Sequence, residues 1–106
     1  MSWQIKSESG TTMVVLASEL GIQNAAEFHQ AMLPLAARGG PVRIDARTSK
    51  TVHTSIMQIL YALSQSVPDF AVIGASQDFR AIEARMGFSL PGNDPSKTPV
   101  NLPKPA

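Results

Sequence analysis

The chain has 106 residues, 43% of them hydrophobic and 16% charged, with a formal net charge of +1. That is one domain with one modest core, and it carries no global field that would draw in nucleic acid or an anionic membrane. The absence of cysteine removes disulfides, thiolate metal sites and a cysteine nucleophile, and it fits a cytoplasmic location.

No apolar run approaches the ~20 residues of a membrane span. The opening residues MSWQIKSESG lack the apolar core of a signal peptide. The expectation is a soluble cytoplasmic domain with no segment inserted in a membrane. Residues 2–7 alternate weakly, with Trp3 and Ile5 on one side, as an edge strand does. Glu8-Ser9-Gly10 is a turn, and TMVVLA (12–17) is the second strand of a hairpin. Residues 22–37 form a helix whose core stripe is Ala25, Phe28, Met32 and Leu35. Pro34 frees the carbonyl of Gln30, so a kink or an early end is expected there, and Gly39-Gly40-Pro41 stops the helix.

VRIDA (42–46) alternates as a strand. A polar loop, RTSKTVH, leads to a second helix at Thr54 and Ser55, which runs over 55–66 and is apolar around much of its circumference. Such a helix is largely buried or meets a partner. FAVIG (70–74) reads as a short buried strand. Ser76 is a good N-cap, Asp78 suits the first turn, and Phe79, Ile82 and Met86 give a third helix its apolar face, with Gly87 at its stop. From Ser89 onward five of the eight prolines fall in eighteen residues. The division expected is a domain over 1–88 and a Pro-rich tail over 89–106, extended or at most a strap along the surface.

The order is β-β-α-β-α-β-α. Strands separated by single helices pair in parallel, so the fold class is α/β: one small sandwich with a mixed sheet of four or five strands and helices packed on it. Nothing in the sequence calls for a cofactor or a metal. His29 and His53 are the only histidines and have no partner at ligand spacing. Gly39-Gly40 lacks the spacing of a phosphate-binding loop and follows a helix. A triad of Ser55, His53 and Asp45 is nominally possible, but two side chains so close in sequence at a helix start are not expected to face each other. With six aromatic residues and scattered cations, a nucleic-acid platform is not evident.

One constellation remains. Thr54 and Ser55 sit at the start of the second helix beside Arg47, Lys50 and His53. A helix N-terminus has free N–H groups and partial positive charge, and so favours phosphate or carboxylate. One of the two hydroxyls is also the expected cap of that helix, a role worth about 1 kcal/mol.

The order and spacing of these pieces over residues 10–88 resemble the STAS domain of anti-sigma factor antagonists and related bacterial switch proteins. VRIDA matches the family's strand, with Asp45 at the matching position. His53 falls where the family has Asp, Thr54 on the phosphoacceptor hydroxyl and Ser55 on the small residue after it. Ile56 falls where a glycine or alanine is usual, on the face that meets the partner. Met57, Ile59 and Leu60 match apolar helix positions, and VIGASQDFRAIEARMGF resembles the later strand, turn and helix. The resemblance implies a non-enzymatic module of signal transduction and transcription regulation. It would bind a protein partner, a serine/threonine kinase of the anti-sigma type, through Arg47, Lys50, His53, Ile56 and Met57, and be switched by phosphorylation at Thr54 or Ser55. It implies as an alternative a STAS subunit of a lipid-transport ABC complex, docked on its ATPase without phosphorylation.

Overall fold

The computed structural model describes residues 3–93. Its centre is a mixed sheet in the order β1-β2-β4-β6-β7. β1 (Trp3–Glu8) and β2 (Thr11–Leu16) form the expected antiparallel hairpin. Its two-residue turn has φ of 50° at Ser9 and 83° at Gly10. Positive φ at both positions matches the right-handed twist of the flanking strands.

β2 pairs in parallel with β4 (Val42–Asp45), and β4 with β6 (Phe70–Ile73). α1 (Ala25–Arg38), preceded by a 3-10 turn over Ile22–Asn24, connects the first pair, and α2 (Thr54–Ser66) the second. α3 (Gln77–Met86) follows β6. The alternation read from the sequence is realised. Along β2, Thr12, Val14 and Leu16 are buried while Thr11, Met13 and Val15 are half-buried. Val14 lies beside Ile44, and Ile44 beside Val72. The helices bring Phe28, Met32, Met57, Leu60, Phe79 and Ile82 into the same core cluster. Trp3 of the edge strand closes it with an edge-on contact to Phe28, ring centres 5.1 Å apart.

Three features depart from the sequence reading. α1 does not end at Pro34 but continues to Arg38, where the Gly39 N–H bonds the Leu35 carbonyl. Gln30, whose carbonyl loses its helical donor, is exposed, so solvent is at hand in place of that donor. A second, two-stranded sheet joins β3 (Glu19–Leu20) to β5 (Thr51–Val52) in parallel. And the fold continues past residue 88: Leu90 is 3% exposed, and β7 (Gly92–Asn93) adds to β6 in parallel. The remainder of the expected tail, 94–106, lies outside the described residues.

Candidate functional site

The residues singled out in the sequence gather where β4 ends. Such carboxyl ends of parallel strands are where connecting loops are positioned by a rigid sheet. Asp45, the last residue of β4, is 8% exposed. Its carboxylate accepts three bonds from Arg47: the backbone N–H at 3.1 Å, Nε at 3.0 Å and Nη2 at 2.7 Å. The side-chain bonds of Arg47 hold the Asp45 carboxyl below its ordinary range, against the opposing effect of burial, and Asp45 in turn raises Arg47. Arg47 is therefore a clamp on the strand end, and its charge is already spent on Asp45.

Gly74 shows why the clamp fits. Its φ is +57°, and a Cβ there would lie 2.3 Å from Arg47 Cγ. The Arg47 stem runs across this glycine, which supplies both the left-handed backbone and the space.

The loop after Arg47 is stitched on two sides. The N–H groups of Lys50 and Thr51 both donate to the Ser18 carbonyl, and His53 N–H donates to Leu20 O at 2.8 Å. Ser49 is 1% exposed. Its carbonyl accepts the Ser76 hydroxyl at 2.5 Å, and the same Ser76 oxygen accepts Phe79 N–H at 3.1 Å as the cap of α3. The start of α3 and the entry to α2 thus share one frame.

α2 begins differently from the sequence expectation. Its N-cap is His53, in extended backbone, and not a hydroxyl. His53 Nδ1 accepts the Ser55 N–H at 3.1 Å and lies 2.8 Å from Ser55 Oγ. The side chains of His53 and Ser55 do face each other, contrary to expectation. They still form no triad, because Asp45 is taken by Arg47. With the cap supplied by His53, Thr54 is the first helical residue, and it is exposed.

Of the expected partner-binding residues, Arg47 and Lys50 are exposed and His53 is half-buried. Ile56 and Met57 are each 0% exposed. Their assignment to the partner face is corrected: both point into the core, and Ile56 presents no bulk to an approaching protein. The helical positions that share a face with Thr54 are Gln58 and Tyr61, both exposed. The sequence reading did not group them with Thr54, although their spacing of four and seven from it places them on its face. The Tyr61 ring stacks on Phe88, centres 4.8 Å apart. Ile22, 65% exposed, stands on the 3-10 turn that packs against α2, two residues beyond the Leu20 carbonyl that holds His53.

Among the described residues no group of His, Asp or Glu is placed to hold a metal ion. No described helix is long and apolar enough to cross a membrane. What the geometry offers is a helix start whose entry loop is tied down by hydrogen bonds and whose first residue, Thr54, is exposed.

Residues 3–89 match the family model described as Mlab, STAS domain. No curated protein matches the sequence. Among solved structures, the anti-sigma factor antagonist SpoIIAA in its unphosphorylated form superposes with a TM-score of 0.73 at 11% identity, covering 87% of this chain and 86% of that one. The Bacillus cell fate determinant SpoIIAA in its phosphorylated form gives 0.70 at 11% identity, with 87% and 89% covered. An anti-sigma factor antagonist from Mycobacterium paratuberculosis gives 0.70 at 19% identity, with 80% and 76% covered. At these identities the likeness is one of fold.

Proposed function

The chain belongs to the STAS domain family, and from that premise we propose that it is a non-enzymatic regulatory module that docks on a protein partner through the loop and helix around residues 47–60. The partner is a kinase of the anti-sigma type or a related signalling protein, and the setting is the bacterial cytoplasm. One observation carries the reading. The Thr54 hydroxyl is exposed at the tip of a helix whose entry loop is bonded to β3, to the strand end and to α3. A partner can read such a rigid tip without ordering it first. A phosphate on Thr54 would add nearly two negative charges and bulk to the contact and release the partner. Ser55 is the poorer acceptor, since its oxygen is held by His53.

A second reading has its own support. The matched family model is the Mlab type of STAS domain, and His53 stands where the anti-sigma antagonist pattern has aspartate. This favours a STAS subunit of a lipid-transport ABC complex, with the same helix start seated on the ATPase and no phosphorylation.

Affinity purification of the native protein, followed by phosphopeptide mass spectrometry, separates the two. Co-purifying kinase with phosphate on Thr54 supports the first reading, and a co-purifying ABC ATPase with unmodified Thr54 the second. Thr54→Asp is expected to weaken binding of either partner at least about tenfold, the ~1.4 kcal/mol scale of an unpaired charge in an interface. Wild-type affinity in that variant, for every partner recovered, would remove the helix start from the interface.

A further inference from the structure

We propose that His53 makes the docking face proton-sensitive. Neutral, it caps α2; protonated, it cannot, and the turn carrying Thr54 loosens. The consequence for docking rests on the reading above, but the device itself resides in this chain.

The argument begins with the Ser55 backbone N–H, which can only donate. Nδ1 of His53, 3.1 Å away, therefore carries its lone pair toward it, and the ring proton sits on Nε2. Protonation places an N–H on Nδ1. Two donors then oppose each other across that distance, and a full positive charge joins the partial positive charge of the helix start. The Ser55 hydroxyl, 2.8 Å from Nδ1, can rotate to accept the new proton. One of the two contacts is thus kept and the capping bond is lost, so the effect is a loosened first turn and not an unfolded helix.

Among the described residues no carboxylate forms an ion pair with His53. The first turn of α2 has no acidic residue. The charged and titratable groups of the packed elements are Glu19 on β3, Glu27, His29 and Arg38 on α1, Arg47 and Lys50 in the loop, and Asp78, Arg80, Glu83 and Arg85 on α3. Arg47 is bound to Asp45. The start of α3 is the internal control, because its cap is the hydroxyl of Ser76, which does not titrate.

The test is a nitrogen-15 NMR titration of the full chain between about pH 8 and pH 5, the range in which imidazole charge changes. At the upper end the His53 ring is expected to show the Nε2–H tautomer. On acidification the Ser55 amide should shift in step with His53, the helical shifts of residues 54–57 should diminish, and the Phe79 amide should stay in place. His53→Asn, whose carbonyl oxygen caps at any pH, should abolish the response while keeping the helix. An Nδ1–H tautomer, a Ser55 amide that ignores His53, or the same response in His53→Asn would each overturn the proposal. Each of those would leave the docking reading standing. Wild-type partner affinity in Thr54→Asp would remove the docking reading and leave the titration intact.

Discussion

A buried aspartate at the end of a strand needs a partner, and the chain provides one two residues later. Because Arg47 supplies three donors to Asp45, the carboxylate is favoured in the folded state and its pKa is lowered. The sign follows. Asp45 contributes stability that is fully present above the unfolded carboxylate value of about 4 and is lost as pH falls through the lower folded value. Urea unfolding of wild type and Asp45→Asn should therefore differ by a constant amount from neutral pH down to about pH 4, with the gap closing in stronger acid. A gap that persisted at the lowest pH would assign the effect to shape and not to charge. Gly74 belongs to the same unit. Gly74→Ala should cost about 1–2 kcal/mol for the left-handed backbone alone, and more because its Cβ displaces the Arg47 stem. Thermal unfolding of Gly74→Ala, Arg47→Ala and the double variant should be non-additive, since the second change removes the clash created by the first. None of this was visible in the sequence, where Arg47 reads as a free cation beside a phosphate-friendly helix. Its capture by Asp45 depends on the loop geometry, which pairwise spacing does not specify.

At the scale of elements, the helices and long strands were legible from a period of two along β4 and of three to four along α1 and α3, from the β-rich run TMVVLA and from the continuous apolar run FAVIG. The short pieces were not. β3, β5 and β7 have two residues each, too few for any alternation to register, and β7 follows Pro91 in a stretch whose composition argues for a tail. The cap of α2 was misassigned for a related reason. Histidine is not among the residues that usually cap helices, so the adjacent hydroxyls took the role on paper. The C-terminal segment is held by a specific device. Glu83, 3% exposed, pairs with Arg80 through one oxygen at 2.9 Å and accepts the Leu90 N–H with the other at 2.7 Å. Val72 N–H then bonds the Pro91 carbonyl at 2.7 Å. Leu90→Ala should therefore cost about 2–5 kcal/mol, as for other fully buried leucines. Denaturant unfolding measures it, and a loss under about 1 kcal/mol would return residues 89–93 to the status of a surface strap.

Across the whole molecule, the core and the proposed docking face are two sides of one helix. α2 turns Ile56, Met57, Leu60 and Leu63 inward and Thr54, Gln58 and Tyr61 outward. That division decides which substitutions report on function. The sequence shows α2 to be apolar around much of its circumference, which leaves open whether the excess is core or contact. The structure assigns Ile56 and Met57 to the core: both are 0% exposed and belong to the cluster that also holds residues of the sheet, α1 and α3. Ile56→Ala should then lower stability by about 2–5 kcal/mol and leave the affinity of the remaining folded protein unchanged. Gln58→Arg should do the reverse. An exposed helical position tolerates the change within about 0.5 kcal/mol, whereas a new charge four residues from Thr54 alters any partner surface that covers the helix start. Parallel measurement of unfolding free energy and partner affinity on the two variants checks the division. If Gln58→Arg binds as wild type while Ile22→Ser, on the neighbouring 3-10 turn, binds weakly, the contact is centred on the β3 side of the helix start. If both bind as wild type, the partner meets only the tip at Thr54.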